Sequence, residues 1–259
     1  MRSDPTVSRP RTEETPTPIL ILSCFPGGDL LGIAFEQLGA TVVHSRDYIF
    51  GGDIRDVHVP PHRFDLVIGG PPCQVHSSAS HLNAAGKSSK VDLIPEFVRI
   101  VNEAQPRAVV MENVRGAAGH PDIPEAWNMQ VLRDWDCGGE THRTRAFWTW
   151  PMPILAPSRR TAPDPDTGAM PSRSVMASTY KRGRSDNPFL EAKGFLPGDL
   201  PLPEYGRLQG APLLTQRLIE HGVSRQFAVT LLGNGVPVAM GTWVARQVLA
   251  AMKGATDAA

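Results

Sequence analysis

Short apolar runs alternate with amphipathic stretches along the first part of the chain. Residues 19–22, 40–43, 64–68 and 108–111 have the length and apolar character of buried strands. Between them, residues 30–35 suggest a helix that stops at Gly39, and residues 92–103 predict a second helix. The apolar face of that second helix carries Leu93, Ile94, Phe97, Ile100 and Val101. Strands that alternate with helices predict a Rossmann-like α/β fold with a mostly parallel, doubly wound sheet.

The same pattern predicts that the chain is divided into four parts. Residues 1–18 are rich in Pro, Thr and charge, and we expect a disordered tail there. Residues 19–150 form the expected main domain, whose polar clusters follow strands, where the active sites of such sheets gather. Residues 151–203 are rich in Pro and Arg without a clean period, which predicts a small irregular region. Residues 204–252 return to the main domain.

The composition limits the classes of protein to which the chain can belong. Apolar residues make up 41% of the chain, and 26 basic residues balance 26 acidic ones, so any nucleic-acid-binding surface must be local. We expect no membrane span and no signal peptide, because no long apolar run is evident. The three cysteines, Cys24, Cys73 and Cys137, show no zinc spacing, which predicts free thiols in a reducing cytoplasm and no metal.

The segment Gly69-Gly70-Pro71-Pro72-Cys73-Gln74 directly follows the third predicted strand. The two prolines stiffen the chain before Cys73 and hold its thiol at the end of the strand. A thiolate is a strong nucleophile where a helix start or a cation lowers its pKa. A lone cysteine is more often a buried structural residue, but this setting favours a nucleophile.

Two further polar groups are placed where they could meet Cys73. Glu112 ends the fourth predicted strand, and its carboxylate could face the cysteine across the carboxyl edge of the sheet. If residues 141–145 form a strand, Arg143 and Arg145 share one face and could grip a phosphate and a carbonyl oxygen. A solvated glutamate and an exposed charged strand edge are the structural alternatives.

Residues 19–38 have the strand–turn–helix order of a nucleotide-binding fold. The turn Phe25-Pro26-Gly27-Gly28 would bring backbone N–H groups close to a cofactor. Asp47 could bind ribose hydroxyls, and Asp53, next to Ile54, could accept from an adenine amino group. Surface loop acids are the alternative for both aspartates. The G-x-G-x-x-G spacing of a Rossmann dehydrogenase is absent, and that fold would give Cys73 no role.

Together, these segments resemble the DNA cytosine-5 methyltransferase family of bacterial or phage type, over about residues 19–248. Six motifs in the family's order carry the resemblance: Phe25-Pro26-Gly27, Gly69-Gly70-Pro71-Pro72-Cys73-Gln74, Glu112-Asn113-Val114, Arg143-x-Arg145, Glu204-x-x-Arg207-Leu208-Gln209-Gly210 and Gly233-Asn234-Gly235-Val236-Pro237. The second resembles the family's nucleophile motif, the third its acid motif, and the first and last resemble the motifs that hold the cofactor.

The resemblance implies a cytoplasmic, monomeric enzyme that uses S-adenosylmethionine, releases S-adenosylhomocysteine and acts on double-stranded DNA without a metal. Cys73 would add to C6 of a flipped cytosine, so that C5 can take the methyl group. Glu112 would bind or protonate N3, Arg145 would contact the base carbonyl, and Arg143 would contact a phosphate or support Cys73. The cofactor would contact Phe25, Pro26, Gly27, Gly28, Asp47, Tyr48, Asp53, Ile54, Pro71, Asn234 and Val236.

The resemblance also implies that residues 151–203 recognise the target and that residues 76–90 form a mobile loop over the base. The expected DNA-binding residues are Gln74, Ser77, Arg159, Arg160, Arg173, Lys181, Arg182, Arg184 and Arg207.

Some positions depart from the family's motifs. Asp29 and Leu30 replace the two glycines of the first motif, so the cofactor turn must differ. His76 and Ala211 replace phenylalanines, and Thr141 replaces a glutamine. None of these changes removes a catalytic group, although a polar His76 could accommodate a modified methyl donor.

Two alternatives remain open. RNA cytosine methyltransferases also carry a Pro-Pro-Cys motif, although the Gly-Gly-Pro-Pro-Cys-Gln form and the basic segment favour DNA. A catalytically inactive DNA-binding protein on the same scaffold would have no physical reason to keep Cys73, Glu112, Arg143 and Arg145 together.

Overall fold

The computed structural model describes residues 18–72, 92–181 and 196–256, and within them six strands form one mixed sheet in the order β2-β1-β3-β4-β6-β5. The strands are β1 (Leu20–Cys24), β2 (Thr41–His44), β3 (Leu66–Gly69), β4 (Ala108–Asn113), β5 (Asn128–Arg133) and β6 (Thr144–Trp150). The α-helices are α1 (Leu30–Glu36), α2 (Ile94–Ala104), α3 (Leu202–Leu208), α4 (Pro212–Glu220), α5 (Arg225–Asn234) and α6 (Val238–Thr256).

The sheet brings the ends of several strands to one edge. β1, β3 and β4 run parallel, with Cys24 opposite Gly69 and Gly69 opposite Met111. β6 runs antiparallel to β4 and pairs Ala146 with Asn113. The segments that follow β1, β3 and β4 therefore leave the sheet together, beside the start of β6.

Alternating side chains of the strands fill a core on each face of the sheet. In β3, Leu66 and Ile68 pack in the same cluster as Phe35 of α1 and Val244 of α6. Val67 points the other way and packs in the cluster that includes Phe97 of α2. Helices cover both faces, which confirms the predicted doubly wound α/β fold.

A third hydrophobic cluster connects the proposed recognition region, residues 151–203, with the main domain. Val175 and Leu196 are buried in the same cluster as Leu30 of α1 and Tyr205 of α3. The described part of this region therefore shares a core with α1 and α3. The division of the chain at residues 151 and 203 stays a prediction.

The expectation that the chain lacks a long apolar run is wrong for its C-terminal helices. Residues 225–254 reach the length and mean hydropathy, 1.3, of a membrane span, although 61% of the apolar window is buried inside the protein. The run is divided into α5 and α6, and Val244, Val248 and Leu249 pack against the sheet. Core packing therefore accounts for its apolar character.

Candidate functional site

A cavity of about 400 Å³ opens at the edge where the parallel strands end. This volume lies within the range of small-molecule sites in proteins. Nine of the residues expected to contact the cofactor line it: Phe25, Pro26, Gly27, Gly28, Asp47, Tyr48, Pro71, Asn234 and Val236. The cavity also includes Glu112 and Arg145, so the structure brings the predicted cofactor residues and two predicted catalytic residues to one place.

The turn after β1 has an unusual backbone conformation. Phe25, Gly27 and Asp29 all have positive φ angles, of 55°, 52° and 44°. Such angles are uncommon for residues other than glycine, and they persist where surrounding contacts fix them. Here Asp47 supplies one such contact, because its Oδ2 accepts from the Gly27 N–H at 3.0 Å while its Oδ1 accepts from Ile49 N–H at 2.8 Å. Asp47 therefore holds the turn in place.

Asp29, which departs from the family's glycine, lies at the start of α1 and lines the cavity. Its Oδ1 accepts from the Gly32 N–H at 3.0 Å and from the Ser23 hydroxyl at 2.8 Å. Its Oδ2 lies 2.7 Å from Nε2 of His44, and this hydrogen bond raises the pKa of His44. Three donors thus converge on one carboxylate.

Glu112 and Arg145 form an ion pair at the other side of the cavity. Arg145 Nε lies 2.9 Å from Glu112 Oε1, and the glutamate side chain is only 9% exposed. Burial raises the pKa of Glu112 and outweighs the opposing effect of Arg145 and Arg143. A carboxyl group with a raised pKa is suited to hold and donate a proton near neutral pH.

The Glu112 carboxylate lies against the segment that leads to Cys73. A Cβ atom at Gly70 would be 3.0 Å from Glu112 Oε2, so the carboxylate and the backbone of this segment are in close contact. Asn113 Nδ2 donates to the Pro71 carbonyl at 3.2 Å and fixes the same segment. Cys73 itself lies outside the described residues, as do Gln74, Ser77, Arg182, Arg184 and the side chain of Lys181.

Arg143 has contacts other than those expected. β6 begins at Thr144, so Arg143 precedes the strand, and it is 3% exposed. Its Nη1 donates to the Val175 carbonyl at 2.6 Å and its Nη2 to the Gly233 carbonyl at 2.9 Å. A buried guanidinium in these bonds is not placed to grip a DNA phosphate. It connects the start of β6 with Val175 of the proposed recognition region and with Gly233 of α5.

Two residues expected at the cofactor lie elsewhere. Asp53 accepts hydrogen bonds from the guanidinium of Arg55, which lowers the pKa of Asp53 to about 2. Ile54 is buried in the core on the α2 side. Neither belongs to the residues that line the cavity. The prediction placed them by their position after a glycine pair, which does not fix the direction of a side chain.

Two of the expected DNA-binding arginines form ion pairs within the chain. The guanidinium of Arg160 lies 4.0 Å from the Trp135 ring centroid, and Nη2 pairs with Asp164 at 2.6 Å. Arg207 pairs with Glu140 and Glu204. Arg159 is exposed and Arg173 is half-buried, and their DNA contacts stay predictions.

Sequence reasoning missed several residues that build the site. Asn113 and Gln209 were quoted within motifs but were given no role, although Gln209 Nε2 donates to the carbonyls of Leu232 and Gly235. These bonds join α3 to the turn that carries Asn234. A buried amide in a motif is the signal that could have found both residues, because such a group needs partners.

Comparisons with known proteins point to one family. The family model described as C-5 cytosine-specific DNA methylase matches residues 46–148. Type II methyltransferase M.NgoPII of Neisseria gonorrhoeae is 28% identical over 150 residues, which cover 51% of this chain and 43% of that protein. M.FnuDI of Fusobacterium nucleatum is 30% identical over 114 residues, 37% of this chain and 32% of that one. The chain thus matches less than half the length of these relatives.

Solved structures agree on the fold. The Entamoeba histolytica methyltransferase EhMeth superposes with a TM-score of 0.59 at 12% identity, over 88% of this chain and 97% of that one. The S. pombe Dnmt2 methyltransferase gives a TM-score of 0.58 at 11% identity, over 90% and 99%. At this identity the likeness shows a shared fold.

Proposed function

We propose that the chain belongs to the C-5 cytosine-specific DNA methylase family, whose model matches residues 46–148, and that it transfers a methyl group from S-adenosylmethionine to C5 of cytosine in double-stranded DNA. The observation that carries this proposal is the buried Glu112–Arg145 pair, which lies against the segment leading to Cys73 and lines a ligand-sized cavity. The names of the type II relatives support DNA as the substrate.

The lining of the cavity fits the proposed cofactor. S-adenosylmethionine would supply an electrophilic methyl group. Asp47 would bind ribose hydroxyls with the remaining lone pairs of its carboxylate, and the exposed Tyr48 ring would cover the adenine. Gly27 allows the backbone to approach the ligand closely, and Asn234 and Val236 would contact the methionine part.

The chain's own residues would carry the chemistry at the base. The Cys73 thiolate forms a bond to C6 of the flipped cytosine, and the electron pair of the C5–C6 double bond becomes available at C5. Glu112, whose pKa is raised by burial, donates a proton or a hydrogen bond to N3. Arg145 donates to the carbonyl oxygen of the base and stabilises the charge that develops there. After C5 has taken the methyl group, loss of the C5 proton and breakage of the bond to Cys73 restore the ring.

The DNA would lie across the carboxyl edge of the sheet, with the target base turned out of the duplex. Residues 151–203 would recognise the flanking sequence, with Arg159 and Arg173 contacting phosphates or bases. We propose that the protein acts as a monomer in the cytoplasm of a bacterial or phage-infected cell.

The experiment that tests this function is nucleoside mass spectrometry of DNA incubated with the full chain and S-adenosylmethionine. We expect 5-methylcytosine with the unchanged protein and none with Cys73→Ala. Incubation with transfer RNA tests the RNA alternative in parallel. Modification of RNA alone would replace DNA as the substrate, and no modification of either would favour an inactive DNA-binding protein.

A further inference from the structure

The C-terminal end of α5 forms part of the cavity wall and depends on groups from outside the helix. α5 ends at Asn234, and both Asn234 and Val236 line the cavity. A helix leaves its last four carbonyl groups without partners inside the helix. Many helices satisfy them with a glycine in the left-handed conformation, but Gly235 is extended, with φ −68° and ψ 158°. The last turn reads Leu-Leu-Gly-Asn, so it contributes no basic side chain either.

Two buried side chains from other parts of the fold bind these carbonyl groups. Arg143 Nη2 donates to the Gly233 carbonyl at 2.9 Å. Gln209 Nε2 donates to the carbonyls of Leu232 and Gly235. A positive charge at the C-terminus of a helix also offsets the helix dipole, and Arg143 supplies it here from the start of β6. Together the two side chains act as the cap of α5.

Arg143 is itself held on its backbone side. Its N–H donates to Thr141 Oγ1 at 3.2 Å, and the Thr141 hydroxyl donates to Asp134 Oδ2 at 2.7 Å. The Arg143 carbonyl accepts from the Asp134 N–H at 2.8 Å. Burial raises the pKa of Asp134, while the bonds from Thr141 and the charge of Arg143 oppose that rise. The threonine that replaces the family's glutamine therefore anchors the arginine that reaches α5.

We propose that Arg143 and Gln209 are positioning residues that cap α5, set the turn carrying Asn234 and Val236, and thereby raise the affinity for the cofactor, and that Arg143 makes no contact with DNA. This inference rests on the proposed function, because the cofactor is the one named there. It replaces the role that the motif implied for Arg143 at a phosphate with an action on the cavity wall.

Isothermal titration calorimetry of the full chain with S-adenosylhomocysteine tests the cap. Arg143→Gln is shorter and removes the charge, whereas Arg143→Lys keeps the charge but replaces the planar fork with a single amino group. We expect Kd to rise about tenfold in the first variant, or ~1.4 kcal/mol, and about threefold in the second, which is a partial rescue. Arg246→Lys makes the conservative change at an exposed position of α6 and should leave Kd unchanged.

A fluorescently labelled DNA duplex of mixed sequence distinguishes the cap from a contact with DNA. We expect Arg143→Gln to leave the affinity for this duplex within about twofold and its salt dependence unchanged. Loss of an arginine that binds a phosphate would lower the affinity and would reduce the slope against the logarithm of salt concentration by about one. A reduced slope would overturn the inference.

Turnover kinetics separate the cap from a part in the chemistry. KM for S-adenosylmethionine should rise in Arg143→Gln, while kcat should change by less than about threefold. A lower kcat at unchanged KM would place Arg143 in the chemical step and overturn the cap.

Gln209→Met tests the same turn from the side of α3. The variant keeps the side-chain volume and removes the donor, so it should also weaken S-adenosylhomocysteine about tenfold, and it serves if Arg143→Gln does not fold. Equal affinity of the unchanged protein and the variants would overturn the inference while the proposed function stands. Failure of the unchanged protein to bind S-adenosylhomocysteine would overturn both.

Discussion

At the scale of single residues, two titratable groups near the cavity have raised pKa values, and the cause of the shift differs between them. Burial raises the pKa of Glu112, so its charged form is disfavoured in the folded protein. The bond to Asp29 raises the pKa of His44, so its charged form is favoured. Both groups bind protons more tightly in the folded state, and both therefore favour folding at lower pH.

Glu112→Gln tests the first group. A group with a raised pKa contributes stability below its unfolded pKa and loses it as the pH rises through the folded one. Because the amide does not titrate, the stability of the variant relative to the unchanged protein should rise with pH, by on the order of 1 kcal/mol. Methyl transfer should fall about 100-fold or more. Thermal unfolding from pH 5 to 9 and the nucleoside assay measure both. A relative stability that falls with pH would show that the Arg145 pairing dominates.

His44→Gln tests the second group. The unchanged protein should be more stable than the variant below pH 6.5, the ordinary pKa of histidine. That advantage should shrink as the pH rises through the raised pKa, since neutral histidine and glutamine make comparable hydrogen bonds to Asp29. Melting curves at several pH values, with an NMR titration of the His44 ring, give the measurement. A difference that does not change with pH would exclude a charged pair.

At the scale of elements, α5 joins the cavity to the proposed recognition region. Its C-terminal turn lines the cavity through Thr230, Leu231 and Asn234. The same helix packs against residues 175–177, and Arg143 bonds to both sides of this contact. The α5 backbone lies so close to residues 176–177 that only glycine, which has no side chain, fits at position 233.

Gly233→Ala should break this contact. A Cβ at Gly233 would lie 2.1 Å from the Met176 carbonyl carbon, which is backbone and cannot turn aside. We expect a loss of about 2 kcal/mol or more in the free energy of unfolding. Gly254→Ala is the matched control, because a Cβ there meets nothing within 4 Å and alanine favours a helix. Denaturant unfolding compares them, and equal stability of the two variants would show that α5 and residues 175–177 separate easily.

Particular residues show how far sequence reasoning reached. The apolar strands and the motif cysteine follow from local pattern, and the structure confirms strands β1 to β4 at the expected places. β5 was missed because it is a polar edge strand that reads Asn-Met-Gln-Val-Leu-Arg. Asp53 was misplaced because Arg55, two residues away, competes for its carboxylate. The partners of Arg143 come from residues 32 and 90 positions away, which no local pattern encodes.

At the scale of the whole molecule, the cavity wall is made by residues from distant parts of the chain. Residues 23–31, residues 230–236 and the ends of β3 and β4 all contribute to its lining. A ligand bound there would contact both ends of the fold at once.

S-adenosylhomocysteine should therefore stabilise the two ends together. At a free concentration of 100 times Kd, binding adds about 2.7 kcal/mol to the free energy of unfolding. Amide hydrogen exchange should slow more in residues 23–31 and in residues 230–236 than on the outer face of α2, around Asn102, which slows only where its amides exchange through global unfolding. Protection of the first segment alone would show that α5 does not take part in the site.

Val175 and Leu196 share a hydrophobic cluster with α1 and α3, and this cluster limits how residues 151–203 could be exchanged with those of a relative. A graft that swaps residues 151–203 as a single unit would replace Val175 beneath α1 and the segment whose carbonyl Arg143 binds. Such a chimera would carry foreign residues in the proposed recognition region and a packing defect where Val175 fills the hydrophobic cluster. A transplant that keeps the native residues 172–177 and Leu196 in place, and exchanges the stretches around them, would leave the packing against α1 and α3 intact.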